Sequence, residues 1–176
     1  MRGLAIAVLV LCAIPSGSMA DKPKVSRAMI KPMEESLDNR LQRLWADDPI
    51  QVLGLTQGLY INGYGVVFMS ELNLAPGAGI SPFHPKVTPD EVKRIHDKKV
   101  ARIAQLKETM ADMLVGSAKS LDAMPADEQV TLGISLFYWN WENSSGLPGQ
   151  IVMHAPRRVL LESKPAATAK LVTEEY

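Results

Sequence analysis

Cysteine is nearly absent from this 176-residue chain: Cys12 is the only one. A lone cysteine excludes an intrachain disulfide and any cluster of thiolate metal ligands. Histidine is scarce too, and His84, His96 and His154 never fall two or four residues apart. With no His-Glu-x-x-His pattern, nothing in the spacing points to a metal centre or a cofactor. Charge of one sign is missing as well: 19 basic residues balance 19 acidic ones, with no block of either. That balance gives nucleic-acid binding no electrostatic support. The chain also lacks a Gly-x-Ser-x-Gly elbow, a P-loop and a Gly-x-Gly-x-x-Gly fingerprint, which leaves the common signatures of acyl and phosphoryl transfer without a counterpart. Gly63-Tyr64-Gly65 sits at a hairpin turn with no helix after it, so it is not a phosphate cradle.

What the N-terminus does contain is a leader pattern. Arg2 is followed by an apolar run from Leu4 to Ile14, then Pro15-Ser16-Gly17-Ser18-Met19-Ala20. One positive charge, a short apolar stretch and small residues at Ser18 and Ala20 predict a signal peptide over 1–20, cleaved after Ala20. The run falls well short of the roughly 20 residues that span a bilayer, which argues against an anchor or transmembrane segment. Cys12 is preceded by Leu11 and the apolar run continues past it, so a lipidated cysteine is rejected. Cleavage removes the only cysteine and Arg2, leaving 18 basic against 19 acidic residues, a net −1. The expected location is the periplasm or the extracellular space, with a buried core rather than disulfides supplying stability.

Residues 21–32 carry four cations and two prolines and read as a flexible basic tether; 163–176 read as a disordered, low-complexity tail. Between them lies one domain, 33–162. Met33, Leu37, Leu41, Leu44 and Trp45 share a helix face over 33–46. Two β-rich runs, about 50–61 and 64–74, flank Asn62-Gly63, the pair favoured in a two-residue type I′ hairpin. That turn pairs Ile61 with Tyr64, Leu59 with Val66, Gln57 with Phe68 and Leu53 with Leu72, placing an apolar face opposite one bearing Gly54, Thr56, Gly58, Glu71 and Asn73. A Pro/Gly loop follows over 75–87. Thr88-Pro89-Asp90-Glu91 then forms a capping box with proline at the first helical position. The helix runs towards Ser120, either unbroken at about 48 Å or interrupted at Gly116-Ser117. A strand over 129–142, a loop, a strand over 150–155 and a helix over 156–162 complete an α-ββ-α-ββ-α order. This predicts an α+β fold with a four-stranded, mostly antiparallel sheet covered by helices, one of them long.

The strand at 129–142 is the most informative stretch for function. One face reads Val130, Leu132, Ile134, Leu136, Tyr138; the other ends in Phe137, Trp139 and Trp141. If open, that second face is an aromatic platform for a saccharide, a peptide or a protein partner. If closed, the 33–46 helix covers it as a second layer. A competing enzymatic site would gather Glu71, His84, His96 and His154.

Gly63-Tyr64-Gly65-Val66-Val67-Phe68, Leu136 to Glu142 and Leu147 to Met153 resemble stretches in uncharacterised exported bacterial proteins, across roughly residues 50–160. That resemblance implies an envelope location and carries no activity or catalytic residues. The leading expectation is an exported, non-catalytic binding or interaction module using Phe137, Trp139 and Trp141. The alternatives are an envelope hydrolase with scattered Glu and His residues, and a structural protein assembling through its long helix.

Overall fold

The computed structural model describes residues 25–77, 86–162 and 171–176. The expected signal peptide at 1–20 and most of the 75–87 loop, His84 included, lie outside the described residues. The fold is α+β, in the order α1 (Arg27–Arg43), β1 (Gln51–Ile61), β2 (Gly65–Asn73), α2 (Pro89–Ser120), β3 (Gln129–Leu136), β4 (Gln150–Pro156), α3 (Arg157–Glu162) and β5 (Val172–Glu175).

The strands form one five-stranded mixed sheet in sequential order. β2 and β3 run parallel, with α2 as the crossover between them, and the other pairs are antiparallel. Three of the four pairings are antiparallel, as expected of the sheet, and its strand count is corrected from four to five. The fifth strand comes from residues read as tail: 172–175 pair with the free edge of β4, a vacancy that tail composition alone does not reveal. The tether reading is also corrected, because α1 begins at Arg27 and Val25 is already in the core. Pro32 lies inside that helix. The bond it forfeits is offset by burial of Ile30, Met33, Leu37 and Leu41.

The Thr88 cap forms where the sequence predicts a capping box. Glu91 N–H donates to Thr88 Oγ1 at 3.3 Å, Pro89 opens α2, and Asp90 and Glu91 sit in its positive first turn. The helix continues unbroken to Ser120.

The hairpin forms, but its register is one residue away from expectation. Ile61 pairs with Gly65, Leu59 with Val67 and Gly58 with Phe68. The turn is closed by Tyr64 N–H donating to Ile61 O at 3.0 Å, with positive φ at Gly63 but not at Asn62. Those signs fit a type II turn rather than type I′. Gly65 has φ +134°, and a Cβ there would overlap the Gln129 carbonyl and lie 2.7 Å from Gln129 N. The slip leaves β2 facing the core through Val66, Phe68 and Leu72, as expected, but exposes Leu53, Leu55, Leu59 and Ile61 of β1.

Helix α1 explains why β1 turns this way. Glu34 Oε1 accepts the Gly58 N–H at 2.5 Å, and Asp38 Oδ1 accepts both the Thr56 N–H at 2.8 Å and its Oγ1–H at 2.6 Å. Four helical residues advance about 6 Å, close to the roughly 6.6 Å between alternate strand residues, so carboxylates at i and i+4 reach amides at i and i+2. Gly58 permits the approach: a Cβ there would overlap Ile30 Cγ2 and lie 2.8 Å from Phe68 Cε1. α1 and α2 thus cover one sheet face, with Leu106, Met110, Met113 and Leu114 over Leu132, Ile134, Ile151 and Met153. Among the described residues no element covers the other face.

Candidate functional site

The aromatic segment lies at the carboxyl ends of the parallel pair, and its geometry differs from the expected alternating strand. β3 ends at Leu136. Phe137 N–H still donates to Leu72 O at 2.8 Å, but Asn73 ends β2 one residue later. With no neighbour left to pair, the chain turns. Glu142 N–H donates to Trp139 O at 3.0 Å, closing Trp139-Asn140-Trp141-Glu142 into a tight turn.

The three expected binding residues therefore do not form one row. Phe137 and Trp139 meet edge to face, with ring centroids 4.9 Å apart and planes at 89°. Trp139 is 46% exposed. Trp141 is half-buried and turns back towards Gly77 and Ile95; a Cβ on Gly77 would sit 3.3 Å from its Cη2. The expected alternative cover is absent too, since α1 packs along β1. Trp45, from the segment read as that cover, lies on α2. Its Nε1–H donates to Gln105 Oε1 at 2.5 Å, with the Arg102 guanidinium 4.7 Å from its ring.

Beneath the aromatic turn is a polar base that sequence reasoning missed. The Lys99 side chain, 1% exposed, forms an ion pair with Glu142, whose side chain is 2% exposed. Its Nζ also donates to Phe137 O at 3.0 Å and stands 4.5 Å from the Tyr138 ring centroid. Tyr138 O–H donates to Pro148 O at 2.8 Å. Burial lowers the Lys99 pKa despite the opposing pull of Glu142. The Tyr138 phenol is pushed up to about 12, first by burial and then by the Glu142 charge. One Glu142 oxygen, Oε1, has no hydrogen-bond partner among the described residues.

Arg102, one turn further along α2, does the same for the chain leaving β2. It donates to Leu74 O, to Asp48 O at 2.5 Å and to Asp48 Oδ2 at 2.7 Å. Lys98 joins Asp48 at 2.5 Å, and its hydrogen bond leads the effects that hold the Asp48 carboxyl below its usual range. The signal that could have found this base was present. Lys99 and Arg102 occupy positions four residues from Ile95 and Leu106, inside the apolar stripe of α2, where a cation requires a buried partner.

The described residues of the competing enzymatic site, Glu71, His96 and His154, are dispersed. His96 lies on α2 and donates through Nδ1 to Asn143 O at 2.9 Å. Glu71 and His154 stand on the opposite, helix-free face. Register places them four residues and two strands apart, about 16 Å at ordinary sheet spacings. Among the described residues, no group of three His, Cys, Asp or Glu side chains is placed to hold a metal ion. A cleft of about 370 Å³ lies elsewhere, between α1 and the end of α2, lined by Met29, Met33, Leu37 and Met113 among others; none of the three aromatics borders it.

No family model, curated protein or solved structure matches this chain.

Proposed function

We propose that this chain is an exported, non-catalytic interaction module that presents Trp139 as an aromatic anchor to a protein or peptide partner. The observation that carries the reading is an exposed indole on an immobilised base. Trp139 is braced by Phe137, while the residues around it are tied down by Lys99, Glu142 and Tyr138. A large apolar ring held in one place loses little conformational entropy on binding, which is why tryptophan dominates binding hot spots. An anchor on a turn suits insertion into a partner's pocket. A saccharide stacked on the same ring is the competing outcome, distinguished by whether soluble sugars displace the partner.

Trp139→Ala is expected to lower partner capture at least tenfold while leaving the urea unfolding midpoint within error. Trp141→Ala is expected to cost about 2 kcal/mol, roughly half the value for a fully buried tryptophan. Unchanged capture by Trp139→Ala defeats the anchor reading. Export is part of the same proposal and is tested separately: mature protein in the periplasm or medium should begin at Asp21, and a cytosolic product retaining Met1 would refute export.

A further inference from the structure

The helix-free face of the sheet is built to meet a copy of itself, and we propose that the protein forms a face-to-face homodimer across it. The strand registers define two rows on this face. The first is Leu59, Val67, Thr131, His154 and Val172; the second is Gln57, Met69, Gly133, Val152 and Glu174. Leu59 is 62% exposed and Val172 46%. Met69 lies across Gly133, where a Cβ would overlap its sulfur, and Tyr64 bonds to Thr131 Oγ1 at 3.1 Å. The middle of the face is therefore a packed, low-relief surface flanked by apolar side chains.

Three observations select a second copy as the occupant. The first is area. Five strands at about 4.8 Å and eight residues at about 3.3 Å give a face of roughly 600 Å², so two copies bury about 1,200 Å² in total. That meets the lower bound for a specific interface.

The second is charge. A two-fold axis along β3, the middle strand, exchanges β1 with β5 and β2 with β4 while preserving each row. Leu59 then lies over the partner's Val172, and Met69 over the partner's Val152. Among the described residues, the side-chain carboxylates on this face are Glu174, which accepts the Tyr176 hydroxyl at 2.9 Å, and Glu71; they meet amides, the partner's Gln57 and the partner's Gln150. No like charges collide, so the surface is self-complementary under the operation that an isologous dimer requires.

The third concerns the edges. β1 is closed to strand addition at Thr56 and Gly58 by Asp38 and Glu34. β5 is four residues long and carries Glu174 and Glu175. Edge pairing into open-ended assemblies is thus disfavoured, and association is directed to the face, as in a β-sandwich.

The test is the mass of the purified full chain against concentration, by sedimentation equilibrium. The expected result is a species of twice the mass of the single chain as purified, 19.3 kDa when residues 1–20 are retained and correspondingly less once they are removed. Leu59→Lys should weaken the dimer at least thirtyfold, with an unchanged circular dichroism spectrum because Leu59 makes no core contact in the monomer. The geometry makes a sharper prediction at Gln57, which is exposed. Gln57→Lys should tighten the dimer by placing a cation over the partner's Glu174, and Gln57→Glu should weaken it, each effect occurring twice by symmetry. A monomer at every concentration overturns the proposal and assigns the face to another occupant, such as the chain's own N-terminal segment. A dimer indifferent to Leu59→Lys, or one in which both Gln57 variants act alike, overturns it equally.

Discussion

Methionine in place of Lys99 tests how the aromatic turn is held in position. Lys99 supplies the hydrogen bond to the Glu142 carboxylate, whose other oxygen has no partner among the described residues. The substitution therefore strands a buried carboxylate. Removing one member of a buried ion pair costs about 3–5 kcal/mol, and this one belongs near the top of that range. Glu142→Leu should cost less, about 3 kcal/mol, because Lys99 keeps the Phe137 carbonyl and the Tyr138 ring. The double variant, Lys99→Met with Glu142→Leu, leaves no unpaired charge and fills the site with apolar volume. It should return to within about 1 kcal/mol of the parent. Urea unfolding followed by circular dichroism reads all three. With a slope of about 2 kcal/mol/M, Lys99→Met lowers the midpoint by roughly 2 M. A single-variant cost below about 1 kcal/mol, or a double variant whose cost equals the sum of the two, would show that the pair is solvated and uncoupled. Trp139 would then stand on no rigid base.

Gly65→Ala combines a positive φ with overlap on the Gln129 carbonyl, so it should destabilise by at least about 3 kcal/mol in the same assay; a cost under 1 kcal/mol would refute the observed register. Burial raises the Glu34 carboxyl pKa, but hydrogen bonds from Arg27 and the Gly58 amide and the Arg27 charge outweigh it, so the net shift is downward. A carboxyl lowered on folding stabilises above its ordinary value of 4.5 and loses that contribution as pH falls through the lower folded value. Parent and Glu34→Gln stabilities, measured from pH 7 to pH 3, should therefore converge on acidification, and parallel curves would count against the assignment. Tyr138, raised to about 12, should ionise well above the ordinary phenol range in a tyrosinate absorbance titration. Its contribution to stability is complete below about 10 and lost as pH rises towards 12, and Tyr138→Phe should delete that high-pH step.

The contrast between what was legible and what was not is clearest at β1 and at residues 137–142. The alternation of Leu53, Leu59 and Ile61 is real, but those residues ended outside, because α1 requires Gly58 and the amides of Thr56 and Gly58 to face it. That demand comes from residues 34 and 38, with no local trace in the strand. At 137–142 the alternation also continues on paper. A strand needs a neighbour to satisfy its backbone, and β2 ends at Asn73, so Trp139 and Trp141 parted company. The polar base was half legible: two cations in an apolar stripe announce buried partners, but not which ones.

Local chemistry settled in advance whatever depends on a few adjacent residues. The Thr88 cap, the start of α2, the turn near Asn62-Gly63, the order of the central elements and the α+β class all follow from contacts within a turn or two of the chain. Tertiary structure alone decided the hairpin register, the parallel pairing of β2 with β3, the recruitment of β5 and the burial of Lys99 against Glu142. Each of those depends on an amide, a carboxylate or a bare strand edge finding its partner dozens of residues away. The energy of such a pairing belongs to both segments together and is written in neither one alone.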